Sequence, residues 1–129
     1  MGLMLKDPNN ILFPTLDQAV DAEIEYIRKI GSNINLVFAC SNLGAYEALL
    51  YIIRNREHGV PIYNALASVS SNFSGPAGVN NRLKNLRKLG LLEERSGVKK
   101  SQICLAPTEK LLEELSPILC DRHQGLLLR

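Results

Sequence analysis

The chain has no tryptophan, and aromatic residues make up only 5% of its 129 residues. Its cysteines, Cys40, Cys104 and Cys120, are odd in number and widely spaced. This spacing excludes a disulfide framework and a C-x-x-C zinc motif. No stretch approaches the ~18 apolar residues of a membrane span, and the first residues lack the pattern of a signal peptide. We therefore expect a cytoplasmic protein with reduced thiols and no membrane contact.

Motifs for catalysis are also missing. We find no glycine-rich phosphate loop, no nucleophile elbow and no pair of acids at catalytic spacing. Cys120 and His123 could share a helical face, but two ligands do not make a metal site. The sequence therefore predicts neither an enzyme nor a metal or cofactor site.

Charge is distributed unevenly along the chain, although the formal net charge is only +2. Residues 1–73 hold five basic and seven acidic side chains, a net charge of −2. Residues 74–110 hold eight basic and three acidic side chains, or +5, and residues 111–129 carry −1. A contiguous positive segment is typical of a surface that binds a polyanion.

Hydrophobic periodicity predicts a mainly α fold with a small β-hairpin wing (α+β), in one domain over 16–129 after an N-terminal arm over 1–15. Residues 32–43 are ambiguous, and we predict an irregular segment or short strand there. Ser74 is the predicted N-cap of the fourth helix, Thr108 that of the last helix, and Pro117 is expected to end or kink that last helix. The other predicted elements are helices over 16–31, 43–57, 61–70 and 75–89, and strands over 91–95 and 101–105.

The helix predicted over 75–89 has two distinct faces on a helical wheel. Val79, Leu83 and Leu86 cluster on one side. The opposite side carries amides and cations without an acid: Ala77, Asn81, Lys84, Asn85 and Lys88, with Asn80 and Arg87 flanking it. A short helix and a turn precede this helix, and a basic hairpin follows it. The order predicts a winged helix-turn-helix, with the helix-turn-helix over about 61–89 and the wing over about 91–106.

Double-stranded DNA is the partner that this pattern favours. Asparagine can pair with adenine edges, and lysine reaches guanine or phosphate. We expect base-edge contacts from Asn80, Asn81, Lys84 and Asn85, with Ala77 allowing close approach. Phosphate contacts are expected from Arg87, Lys88, Arg95, Lys99 and Lys100. The same features would also suit a solvated basic face, with lysines that protect a sheet edge, or a winged-helix module that binds an acidic protein partner.

The stretch 79–92, VNNRLKNLRKLGLL, resembles the recognition helix of the MarR family of bacterial and archaeal winged helix-turn-helix regulators. Residues 105–110, LAPTEK, are similar to the start of the family's next helix, and the match covers about 43–117. The resemblance implies a transcriptional regulator, although a role in replication or in a mobile element would look the same. It also implies a possible small-molecule or redox effector, with Cys40 as the candidate thiol. The hairpin tip, SGVKK, lacks the Asp-x-Arg pair of many family wings.

Apolar residues at both ends of the chain favour a homodimer. The helix over 16–31 has an apolar stripe, which includes Leu16, Val20, Ile24 and Ile27, and further apolar side chains lie at 11–13, 118–119 and 126–128. Packed across a two-fold axis, such ends would place two recognition helices about 34 Å apart, one turn of DNA. The alternative is that both ends fold back on their own core.

Overall fold

The computed structural model describes residues 13–70, 75–97 and 102–123. Their elements follow the predicted order of helices and hairpin, and they add a short strand that joins the hairpin in a three-stranded antiparallel sheet. This confirms the predicted fold class. The bounds are α1 Phe13–Gly31, α2 Ile34–Cys40, α3 Leu43–Arg54, β1 Val60–Pro61, α4 Ile62–Ala67, α5 Pro76–Lys88, β2 Leu92–Ser96, β3 Ile103–Pro107 and α6 Glu109–Arg122.

The prediction of an irregular segment or short strand over 32–43 was wrong, because this segment forms α2 and the start of α3. Each helix begins at an asparagine N-cap. The side chain of Asn33 accepts a hydrogen bond from the backbone N–H of Asn35 at 2.9 Å, and the side chain of Asn42 accepts one from Ala45 at 2.9 Å. Such caps satisfy backbone donors that have no partner inside the helix. The two caps therefore start two separate helices, one on each side of Ser41 and Asn42.

The sheet has the order β1-β3-β2, so β3 is the central strand. Val60 of β1 pairs with Leu105 of β3, and Leu92 at the start of β2 pairs with Pro107 at the end of β3. The sequence did not predict β1, because a strand of two residues shows no periodicity. Pro61, predicted to open a helix, is the N-cap of α4 and also the last residue of this edge strand, where a missing N–H is tolerated. β3 ends at Pro107, two residues beyond the predicted strand and one beyond the predicted wing.

Several predicted boundaries need correction. α1 begins three residues earlier than predicted, so the predicted arm over 1–15 is too long; residues 1–12 lie outside the described ranges. α3 and α4 each end three residues earlier than predicted. The N-cap of α5 is Gly75, not Ser74, and it makes no side-chain cap hydrogen bond. Gly90, which has φ +77°, follows the C-cap of α5, as expected for a glycine in the left-handed region.

The last helix, α6, begins at a capping residue and packs against α1. The hydroxyl of Thr108 accepts a hydrogen bond from the N–H of Leu111 at 3.3 Å, which confirms the predicted cap. The helix continues through Pro117 to Arg122, so of the two predicted effects of Pro117, an end or a kink, the structure excludes the end. α6 packs against α1, where Lys29 pairs with Asp121 at 3.0 Å and the Arg122 guanidinium lies 3.9 Å from the centre of the Tyr26 ring.

The core lies between α3, α5, the sheet and α6. α5 buries Val79, Leu83 and Leu86, and these pack with apolar side chains of the other elements. Burying one such side chain contributes about 1.5–3 kcal/mol. The buried side of α5 therefore fixes which of its faces points to solvent.

Within the described residues no single helix is long and apolar enough to span a membrane; α2 and α3 meet that criterion only as a pair, with a bend of 99° between them.

Candidate nucleic-acid interface

The solvent-facing side of α5 is the one predicted from the helical wheel. Ala77, Asn81, Lys84, Asn85 and Lys88 are all exposed. Lys84 and Lys88 have no ion-pair partner within the described residues, and α5 contains no acidic residue. The exposed face therefore offers amide donors and acceptors beside two free cations, as contact with base edges and phosphates requires.

Asn80 occupies a different environment from its neighbour Asn81. Its side chain is half-buried, and its Oδ1 atom is buried without a hydrogen-bond partner in the structure. A buried acceptor without a partner costs about 1–3 kcal/mol. Asn80 therefore lies at the edge of the exposed face, with its carbonyl oxygen directed away from solvent.

Two of the predicted phosphate contacts already have acidic partners. The Arg87 guanidinium is paired with Glu94 on β2, and its side chain is only 16% exposed. Arg95 pairs with Glu93 at 2.9 Å and also donates to the backbone oxygen of Arg56 at 3.1 Å. These ion pairs were not predicted, because Glu93 and Glu94 were assigned from the sequence to a strand and to no partner.

The wing lysines Lys99 and Lys100 lie outside the described residues, so their predicted contacts stay predictions. The described part of the wing carries Arg95 near the end of β2, and Gly97 follows it. The N–H of Gly97 donates to the backbone oxygen of Gln102 at 2.9 Å, which holds the two strands together at the base of the tip.

Arg82 is a residue of α5 whose role was not predicted. Although it was counted with the basic segment, its guanidinium turns inward and contacts α2. The Nη1 atom donates to the backbone oxygen of Phe38 at 3.1 Å and to the hydroxyl of Ser41 at 3.4 Å. The helical spacing could have indicated this inward orientation. Arg82 follows Val79 by three residues and precedes Leu86 by four, so it lies beside the apolar stripe of the helix.

Two exposed apolar features lie outside α5. On α1, the apolar stripe formed by Leu16, Val20, Ile24 and Ile27 faces solvent, and Ile27 is 59% exposed. On α4, Tyr63 is 80% exposed, and it was not predicted as a site residue. The α1 stripe is the larger of these features and runs along the helix at the spacing of a packing face.

The candidate redox residue, Cys40, lies beside a cavity of about 380 Å³ between α1, α2 and α3. The hydroxyls of Tyr26 and Tyr46 are 2.7 Å apart in the lining of this cavity. Burial raises the pKa of both phenols, and it raises the pKa of the Cys40 thiol to about 11. A thiol that stays protonated near neutral pH is a poor nucleophile. The geometry therefore argues against Cys40 as a sensing thiol.

In the part of the chain that the structure describes, no group of three or more His, Cys, Asp or Glu side chains could hold a metal ion. Cys120 and His123, which share a spacing of three residues, are both exposed near the end of α6.

The short helix α4, the helix α5 with its exposed polar face, and the hairpin that follows define a winged helix-turn-helix protein. No family model matches the sequence, and no curated protein matches it. Among solved structures, the chain is similar to the crystal structure of a MepR mutant from a multidrug resistant S. aureus clinical isolate. The TM-score is 0.58 at 15% identity, over 92% of this chain and 83% of that one. MepR is a MarR-family regulator, and the fold of this chain is that of a MarR-type winged helix.

Proposed function

We propose that this protein binds double-stranded DNA sequence-specifically, as a homodimer, and regulates transcription in the cytoplasm. The observation that carries the proposal is the exposed face of α5. Asn81, Asn85, Lys84 and Lys88 share that face, while Val79, Leu83 and Leu86 are buried on the other side. An α-helix with such a face fits the major groove, where asparagine and lysine discriminate between base pairs. The similarity in fold to a MarR-family regulator supports the same reading.

The proposed dimer uses the exposed stripe of α1. Its apolar side chains are between 40% and 59% exposed among the described residues, and a second copy would bury that exposed surface across a two-fold axis. Two α5 helices about 34 Å apart would then meet successive major grooves on one side of the duplex. A palindromic target follows from this symmetry.

In this arrangement Lys88 and the wing lysines Lys99 and Lys100 neutralise phosphates that flank the bases. Arg87 and Arg95 would add to that contact after exchanging their present carboxylate partners for phosphate. Asn81 and Asn85 would contact base edges. Asn80 would join them only after its side chain rotates outward.

The ion pairs of Arg87 and Arg95 also favour a second candidate, a winged-helix module that binds a protein. Both arginines are already neutralised by Glu94 and Glu93, so the wing base presents less positive charge than its sequence suggests. Such a module would retain DNA weakly and without sequence preference, whereas the proposed function requires saturable and salt-dependent binding to a preferred sequence.

The test is selection from a pool of random duplexes at roughly physiological salt, followed by sequencing. Enrichment of a palindrome supports a dimeric, sequence-specific DNA-binding protein. The Asn81→Ala variant should then relax the preference at one position by about 1–3 kcal/mol. The double variant Lys99→Ala, Lys100→Ala should weaken binding to every sequence and lower its salt dependence. A folded protein that enriches no sequence would instead support the protein-binding module.

A further inference from the structure

We propose that Arg82 is a positioning residue, which holds α5 to α2 so that the base-contacting side chains lie at a fixed place relative to the dimer axis. The inference rests on the proposed DNA binding. It assigns to Arg82 a role in sequence discrimination that needs no contact between Arg82 and DNA.

Three contacts tie Arg82 to the end of α2. Its Nη1 atom donates to the backbone oxygen of Phe38 and to the hydroxyl of Ser41, and its guanidinium carbon lies 4.6 Å from the centre of the Phe38 ring. The Phe38 oxygen belongs to the last turn of α2, where backbone acceptors lack partners inside the helix. A planar guanidinium can donate and stack at the same time, whereas an ammonium group cannot match both contacts.

α2 and α5 are separated along part of their length. A groove of about 620 Å³ lies between them, and its lining includes Ile34, Phe38 and Leu89 together with Arg82. The guanidinium spans part of this groove. Asn85 and Lys88 line it from the α5 side, so a change in the tilt of α5 against α2 would move both residues.

The other end of the connection leads to the proposed dimer surface. Only Ser32 and Asn33 separate α2 from α1, which carries the exposed apolar stripe. Arg82 therefore connects the helix that would contact bases to α2, the helix that directly follows the proposed dimer helix α1. Hydrogen bonds to bases weaken steeply with small changes in distance and angle, whereas the attraction between a lysine and a phosphate changes slowly with distance. A loosened α5 should thus lose discrimination before it loses general affinity.

The experiment compares Arg82→Met with Lys88→Met, two variants on one helix that each remove one positive charge. Affinities for the selected palindrome and for a scrambled duplex are measured by fluorescence anisotropy over a series of salt concentrations. We expect Arg82→Met to lower the ratio of the two affinities roughly tenfold, about one base contact, with an unchanged salt slope. Lys88→Met should weaken both duplexes by the same factor and lower the slope by about 0.9.

A further variant, Phe38→Leu, removes the stacking surface without changing any charge. It should lower the affinity ratio in the same direction as Arg82→Met, and it serves as the test if Arg82→Met does not fold. The inference is overturned if Arg82→Met lowers the salt slope as Lys88→Met does and leaves the ratio unchanged, because Arg82 would then be a phosphate contact. An unchanged ratio for Phe38→Leu overturns it as well.

Amide hydrogen exchange distinguishes failure of this inference from failure of the proposed function. If the wild-type protein prefers no duplex, the proposed function fails. Faster exchange along α5 in Arg82→Met than in Lys88→Met would still support the connection to α2, and equal exchange in the two variants would overturn it.

Discussion

The guanidinium of Arg87, in the last turn of α5, is paired with the carboxylate of Glu94 on β2. This ion pair joins the proposed recognition helix to the first strand of the wing. It also neutralises the charge of Arg87, which was predicted to contact phosphate. In the proposed complex, DNA would have to compete with Glu94 for Arg87, so the acid would limit affinity.

The Glu94→Gln variant should therefore bind every duplex more tightly. Without its carboxylate partner, Arg87 can neutralise one more phosphate, and the salt slope should become steeper by about 0.9. Anisotropy titrations over a range of salt concentrations measure both effects. Glu113→Gln is the matched control, since it removes the same charge from α6, outside the helix-turn-helix and the wing. Equal slopes for the two variants would show that net charge alone matters.

The Asn80→Ala variant should stabilise the fold. It removes an oxygen that is buried without a hydrogen-bond partner among the described residues, which is worth about 1 kcal/mol or more in the free energy of unfolding. The control is Asn81→Ala, at the neighbouring exposed position, which gains the same helix propensity. The difference in unfolding free energy between the two variants therefore isolates the effect of burial. Urea unfolding measures both free energies. Equal stabilisation by the two substitutions would mean that the Asn80 oxygen carries no penalty.

The Ile27→Glu variant should weaken the proposed dimer. Burying one isoleucine contributes about 1.5–3 kcal/mol, and a two-fold interface contains the change twice, so dimerisation should weaken by about 10²-fold or more. Sedimentation velocity over a range of protein concentrations gives the dimer dissociation constant. Ile103→Glu changes a similarly exposed isoleucine on β3 and should leave that constant unchanged. A stable Ile27→Glu dimer would exclude the α1 stripe as the interface.

Cys40 should react slowly with iodoacetamide near neutral pH. Burial raises the pKa of its thiol from an ordinary 9.0 to about 11, so the thiolate fraction stays small below that pH and rises as the pH approaches it. Cys120 is an exposed cysteine of the same chain and should be alkylated first. Mass spectrometry of tryptic peptides over a pH series measures both rates. Rapid labelling of Cys40 at pH 7 would restore it as a candidate redox sensor.

The sequence was most informative about features that depend on one helix alone, such as which side chains it buries and where it begins. The faces of α5 follow from side-chain order and the helical period, so the burial of Val79, Leu83 and Leu86 was predicted and is confirmed. The cap at Thr108 was also predicted from a local pattern. By contrast, α2 was missed because a short apolar run fits a buried strand as well as a helix, and β1 was missed because its pairing with β3 is not local.

The amino-acid sequence by itself determined the winged-helix order of elements and the chemical character of the exposed face of α5, since both depend on periodicity and on residues near in sequence. Only the tertiary structure decided which cations on and around that face are free. Arg87, Arg95 and Arg82 look alike in the sequence, yet two are paired with acids and the third contacts α2. Lys84 and Lys88 keep their charges exposed. The physical reason is that an ion pair or a guanidinium contact depends on which elements pack together, and the core decides that packing.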